Sequence, residues 1–193
     1  DRLDHAGNLS RLASLDSFAA NRKRCRVMFH DLRAAISPSV AASLGSFDYI
    51  AHLAAGSHVD RSVLDPGGFA LDNVLGTINL LDWARAGGIK SDGKTLIFST
   101  DEVFGPAGVG DLFGEGARLN PNNPYAATKA GAELMAPAYA NTFGMRLQVT
   151  RCANVFGPRQ DSEKFIPLVI RKLIASEVVQ IHSRWERFDL NGF

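Results

Sequence analysis

Short apolar runs of strand length alternate with longer stretches of helical periodicity along this chain. That alternation constrains its fold more than any other feature. Phe47–Ala54 (FDYIAHLA) and Thr95–Ser99 (TLIFS) read as strands, and Arg26–Phe29, Leu147–Cys152 and Val178–His182 as shorter ones. Asp65-Pro66 offers a helix N-cap and a first-turn proline. Phe69, Val74, Leu75, Ile78, Leu81 and Ala84 follow at helical spacing, and Gly87-Gly88 can end that helix. The spacing predicts two more helices, from Tyr125 to Asn141 and from Glu163 to Ser176. Strands separated by helices make βαβ units, with a parallel sheet covered on both faces. Right-handed crossovers then give a doubly wound, Rossmann-like α/β fold.

In such sheets ligands bind beyond the carboxyl ends of the strands. LAAGSH, STDE and RCANVFG each follow a predicted strand there, so topology gathers them at one edge as one site. The irregular stretch Gly105–Pro124 lies between STDE and the Tyr125 helix, where a mobile active-site loop is expected. Within it, GVGDLFG (Gly108–Gly114) imitates a phosphate loop. It neither follows a strand directly nor opens a helix, and a phosphate cradle needs that helix N-terminus.

Composition narrows the function classes. A net charge of +1 gives no reason to expect nucleic acid as a partner, and RKRCR at 22–26 reads as a solvated loop. No stretch approaches the roughly 20 apolar residues of a membrane span. Cys25 and Cys152 form no CxxC, which suits a reducing cytoplasm. The five histidines make neither HExxH nor any paired metal spacing, so no metal is expected. The start, DRLDHAGN, lacks the apolar core of a signal peptide.

Two patterns carry chemistry. Tyr125 and Lys129 lie four residues apart and share a helix face. A tyrosine with its ordinary pKa of about 10 is no base at neutral pH. A neighbouring ammonium favours the phenolate, and a depression of about three units needs roughly 4 kcal/mol. Such a phenolate removes a hydroxyl proton while the carbon gives up a hydride. The hydroxyls of Ser99 and Thr100 can bind the same substrate oxygen. The second pattern is Asp101 beside Glu102, in STDEVFG. Close carboxylates tend to raise one pKa, leaving an acid beside a base. Neighbours on a strand point to opposite faces, so both can serve one substrate only if the backbone turns at about Thr100.

DRLDHAGN at 1–8, HLAAGSHVDRS at 52–62, STDEVFG, NPYAATKAGAE at 123–133, RCANVFGP at 151–158 and EKFIPLVI at 163–170 occur in order. Together they resemble the extended short-chain dehydrogenase/reductases, most closely the nucleotide-sugar 4,6-dehydratases acting on dTDP-glucose or UDP-glucose. The resemblance implies a cytoplasmic NAD-dependent lyase with a nucleotide-diphosphate sugar as substrate. It also implies a homodimer of the full-length protein, built through two helices per subunit, including that of Tyr125.

By the same resemblance, Tyr125, Lys129 and Thr100 oxidise C4, Glu102 removes the C5 hydrogen, and Asp101 protonates the departing O6 hydroxyl. Hydride then returns to C6. Asp1, Leu3 and Asp4 match the adenosine-ribose loop, Asp31 and Leu32 the adenine pair, and Leu53, Ala54 and Ala55 the wall beneath the cofactor. Ser99, Tyr125 and Lys129 complete the cofactor set. Ser57, Thr100, Asn154, Lys164 and Phe165 match positions contacting the nucleotide sugar. For Asp31, a helix N-cap before LRAAI is the alternative; for Lys164, a surface helix position. Arg187 only loosely matches a nucleotide-gripping arginine.

The family's glycine-rich GxxGxxG turn and first strand do not occur, so the expected fold is incomplete at its N-terminus. Residues 1–176 are then a partial NAD-binding domain and 177–193 the start of a truncated substrate domain. Two competitors stand beside the dehydratase: a non-catalytic NAD-binding remnant, and a related nucleotide-sugar epimerase. The Asp-Glu pair opposes the epimerase, because inversion at C4 needs no elimination. Gly56, Phe104 and Val155 depart from the family's usual residues and bear on fine specificity. Nothing in the chain separates a thymine from a uracil nucleotide.

Overall fold

The computed structural model of the chain describes Leu3, Asp4 and residues 7–180. Two compact units divide it, Asp1–Asn154 and Val155–Phe193.

The first unit opens with α1 (Ser10–Ala13), α2 (Asp16–Ala20) and α3 (Pro38–Leu44). The strands β1 (Phe47–His52), β2 (Ile89–Thr100) and β3 (Leu147–Cys152) form a parallel sheet in the order β1-β2-β3. His52 pairs with Ile97, and Ile97 with Val149, so the central strand aligns the ends of its neighbours.

Between β1 and β2 runs α4 (Val59–Leu64), then a nearly continuous helical rod. The rod comprises α5 (Pro66–Ala70), a π-helical turn Leu71–Leu75, α6 (Gly76–Trp83) and a second π turn Ala84–Gly88. The Asp65 carboxylate caps it by accepting the Gly68 amide at 2.8 Å. Gly87, at φ +115, ends it with a conformation that L side chains avoid. Between β2 and β3 lies α7 (Pro124–Phe143), which Gly144 terminates in the left-handed region at φ +68.

The core sits where the rod and α7 meet the central strand. Leu81, Ile97 and Ala136 are buried together, with Met135, Tyr139, Met145, Leu147 and Val149 packed around them. Burying an aliphatic side chain of this size contributes about 1.5–3 kcal/mol. The face of α7 toward the core is alanine-rich, with Ala126, Ala130, Ala132 and Ala136 buried. Short side chains there let the backbone approach closely, and a Cβ on Gly131 would already stand 3.1 Å from Val74.

Two expectations need correction. Residues 25–31 are irregular rather than a strand at Arg26–Phe29, and Val27 and Phe29 are exposed. The sheet of the described residues holds three strands, β1, β2 and β3. Residues 178–180 are also irregular, while 181 and 182 of that predicted strand lie outside the described residues. The sheet itself fits the doubly wound expectation: Thr95, Ile97 and Ser99 are buried on one face of β2, and Leu96 and Phe98 are half-buried on the other. The second unit carries α8 (Phe165–Ile174), slightly shorter than predicted.

One buried polar group gives a pH-dependent expectation. His52 is 5% exposed, and its Nε2 lies 2.9 Å from the Thr77 hydroxyl. That hydroxyl donates to the Asn73 carbonyl, so its oxygen accepts from His52, which carries a proton on Nε2. Burial, then the nearby Lys129 charge, lowers its pKa to about 4. Unfolded, the group has a pKa of about 6.5, so between these values the unfolded chain binds the extra proton. Stability is therefore whole above about pH 6.5 and falls by about 3 kcal/mol as the pH drops toward 4. Urea unfolding of the wild type and His52→Gln across this window should show the steeper slope in the wild type. Equal slopes would clear His52 as the source.

Candidate active site

The turn anticipated near Thr100 is present. Thr100 ends β2 in an extended conformation, and Asp101–Phe104 form one 3-10 turn. The Thr100 hydroxyl oxygen accepts the Glu102 amide at 3.3 Å, and the hydroxyl donates to Asp101 Oδ1 at 3.2 Å. Val103 and Phe104 are buried against Ala130 of α7 and anchor the turn from below. Gly105 closes it at φ +79, where a Cβ would fall 2.3 Å from the Asn120 carbonyl oxygen. The chain from 105 to 123 returns over the turn, with the Asn120 amide donating to the Val103 carbonyl at 2.9 Å.

The start of α7 meets this turn. Asn123 caps the helix through Oδ1, which accepts the Ala126 amide at 2.8 Å. Its Nδ2 donates to Glu102 Oε2 at 3.1 Å. The Tyr125 amide donates to the buried Ser62 hydroxyl at 3.0 Å. The phenol of Tyr125 is close enough to Thr100 and to both carboxylates for each to act on its ionisation.

That phenol does not have the lowered pKa expected from the Tyr–Lys spacing. Burial raises it first, the Glu102 and Asp101 carboxylates add to the rise, and the Thr100 hydroxyl opposes them. Lys129 is itself buried, and its ammonium donates to the Phe98 carbonyl of β2. Burial lowers its pKa, against the pull of Glu133. Sharing a helix face brings Lys129 to the strand end, where one of its three ammonium protons goes to a backbone acceptor.

Several connecting residues went unnoticed in the sequence. Asn73, 1% exposed, accepts the Gly56 amide at 2.8 Å and donates to the Gly56 carbonyl and to the Thr128 hydroxyl. It thereby ties the LAAG loop, the rod and α7 together one turn from Tyr125. Arg151 of β3 donates through Nε to buried Glu133 at 2.9 Å and through Nη1 to the Glu115 carbonyl at 2.6 Å. Its guanidinium also covers the Phe104 ring at 4.8 Å, and Phe113 stacks on Phe104 at 5.1 Å. The long loop is thus pinned at its middle. Only Asn123 had a local signal, an N-cap residue directly before Pro124.

Leu53, Ala54, Ala55 and Ser57 are exposed at the carboxyl end of β1, and Asn154 is exposed beyond β3. Ser99 is buried, with its hydroxyl oxygen unpaired. Asp31 caps no helix: residues 31–34 form a turn in which its carboxylate accepts the Arg33 amide at 2.9 Å. That turn is fastened to the rod by the Arg33–Asp72 ion pair at 2.7 Å and by Asn79 donating to the Leu32 carbonyl. Leu3 has φ +52, and the Asp4 carbonyl accepts the Gly7 amide. Asp1 and Arg187 lie outside the described residues. In the second unit, Lys164 directly precedes α8 and Phe165 begins it.

Among the described residues no helix is long and apolar enough to cross a membrane. A dTDP-glucose 4,6-dehydratase of Actinoplanes sp. is 43% identical over 176 residues, covering 90% of this chain and 51% of that relative. The chain thus spans about half the length of the curated relatives it matches. The crystal structure of a double mutant of DesIV, a dTDP-glucose 4,6-dehydratase from Streptomyces venezuelae, with NAD and DAU bound, superposes with a TM-score of 0.82. Its identity is 40%, over 91% of this chain and 52% of that one. A UDP-N-acetylglucosamine 4-epimerase from Methanobrevibacter ruminantium superposes at 0.77, with 29% identity over 92% of this chain and 54% of that one. The sequence pattern described as GDP-mannose 4,6 dehydratase matches residues 1–186, and the chain belongs to that family.

Proposed function

We propose that this chain carries the cofactor-binding and acid–base part of an NAD-dependent nucleotide-sugar 4,6-dehydratase. The observation that carries the reading is the turn after β2: it sets Asp101 and Glu102 beside the Tyr125 phenol instead of on opposite sheet faces. The similar DesIV structure contains NAD, and the residues present here fit that cofactor. Leu53, Ala54 and Ala55 offer an exposed apolar strip at a strand end, and the Ser99 hydroxyl awaits a partner. Tyr125 and Lys129 would border the nicotinamide ribose. NAD, when bound, supplies a hydride acceptor that can later return the hydride.

The chain's own groups do the proton work. Tyr125 takes the proton of the sugar O4 hydroxyl, with Thr100 hydrogen-bonded to the same oxygen. Lys129 stands one helical turn away as the positive charge favouring phenolate. Oxidation at C4 leaves a ketone that acidifies the C5 hydrogen. Glu102 removes that hydrogen, Asp101 gives a proton to the O6 hydroxyl, and water departs. The carbon–oxygen bond at C6 breaks as the C5–C6 double bond forms, so charge and atoms balance.

Incubation of the full chain with NAD and dTDP-glucose or UDP-glucose should yield a keto sugar nucleotide lighter by one water. The likeness to a 4-epimerase favours a second outcome, a product of unchanged mass inverted at C4. That product, or no conversion, would overturn the dehydratase reading. The protein acts in the cytoplasm as a homodimer in this reading. Leu64 on α4 and Leu134 and Phe143 on α7 are exposed apolar side chains suited to a helical interface. A purely monomeric sedimentation profile would remove the dimer.

A further inference from the structure

Asn123 uses both ends of its side-chain amide. Oδ1 accepts the Ala126 amide proton at 2.8 Å and caps α7, while Nδ2 donates to Glu102 Oε2 at 3.1 Å. The amide group is planar, so the cap fixes the direction in which Nδ2 points. Glu102 has its backbone pinned by the Thr100 hydroxyl, yet its side chain has several rotatable bonds. One donor fixed by a helix end is enough to select among those rotamers. We propose that Asn123 is a positioning residue that holds the Glu102 carboxylate toward the sugar for removal of the C5 proton. This rests on the reading of Glu102 as the base of the elimination.

The geometry divides the carboxylate's two oxygens between tasks. Oε2 is engaged by Asn123, and Oε1 receives the proton from carbon. The same side chain links the helix bearing Tyr125 to the turn bearing both acids, so the oxidation and elimination groups share one brace. A cap alone would need only a side-chain acceptor, and serine or aspartate serves as well as asparagine. The N–H toward Glu102 is what those residues do not reproduce: serine is too short to span both sites, and ionised aspartate has no donor.

Asn123→Ser and Asn123→Asp separate the two roles. Both should keep the melting temperature near that of the wild type. With the full chain, NAD and the sugar nucleotide, C5 deprotonation is read as solvent deuterium entering C5, and C4 oxidation as formation of reduced cofactor. The ratio of deprotonation to oxidation should fall by about 10- to 100-fold in both variants, as for loss of a hydrogen bond to a charged group. An unchanged ratio, or equal decline of both half-reactions alongside lost stability, would overturn the positioning role. A second readout needs no turnover: side-chain NMR of the cofactor-free chain should show Glu102 in one rotamer in the wild type and averaged among several in Asn123→Ser. One shared rotamer would overturn the proposal even if the chain proved not to be a dehydratase. Absence of any keto product from the wild type would instead sink the dehydratase reading.

Discussion

Replacing Tyr125 with phenylalanine should abolish C4 oxidation while leaving the fold intact. The phenol is half-buried at the start of α7, and the helix is held there by the Asn123 cap and by Ser62 bonding the residue's backbone amide. Neither contact involves the hydroxyl, so phenylalanine preserves both. What disappears is the group proposed to take the O4 proton. Loss of a general base of this kind slows a reaction by about 10²–10⁴-fold. The measurement is formation of reduced cofactor on mixing the full chain with NAD and sugar nucleotide, with thermal unfolding as a control. A variant that still reduced NAD at the wild-type rate would refute the role of Tyr125.

The raised phenol pKa makes this expectation more specific. In the chain alone, burial and the two carboxylates all oppose phenolate. The Lys129 ammonium donates one of its three protons to the Phe98 carbonyl. A further positive charge near the phenol would add to that of Lys129 in favouring phenolate, and the oxidised nicotinamide ring carries one. A Tyr125 titration followed by ultraviolet absorbance should move to lower pH when NAD is added. An identical titration with and without NAD would contradict this dependence.

Changing Glu102 to glutamine should have the opposite signature: oxidation persists and elimination stops. Glutamine keeps the size of glutamate, and its amide oxygen can still accept from Asn123. It cannot take a proton from C5. The reaction then halts at the C4 ketone, and reduced cofactor accumulates on the protein instead of being reoxidised. Elimination should fall by about 10²–10⁴-fold, with hydride transfer to NAD within a few-fold of the wild type. Equal loss of both half-reactions would count against Glu102 as the base. The two variants together distinguish an oxidation group on α7 from an elimination group on the turn, although the phenol and the carboxylate sense each other electrostatically.

The elements readable from local pattern were those whose signals are local. β3 appears over the predicted residues, and α7 extends the predicted helix by one residue before Tyr125 and two beyond Asn141. The break after Thr100 was legible because strand pleating forbids two neighbours from facing one substrate. Arg26–Phe29 has strand-like residues but is irregular, with Val27 and Phe29 exposed. Asp31 has the chemistry of an N-cap, but its carboxylate closes a local turn that the rod holds through Arg33 and Asn79.

Residue identity and spacing by themselves determined the alternating α/β order, the strand-end turn at Thr100, and the helix on which Tyr125 and Lys129 share a face. Those are properties of near neighbours, set by backbone sterics and side-chain periodicity. Only the tertiary structure decided where the Lys129 ammonium points, which residue holds Glu102, and that the Tyr125 phenol resists ionisation. Each depends on groups far apart in the chain: Phe98 opposite Lys129, Asn123 opposite Glu102, and the packing that removes water from Tyr125. Desolvation and hydrogen-bond direction are set by what surrounds a group in space, and a linear pattern does not contain that information.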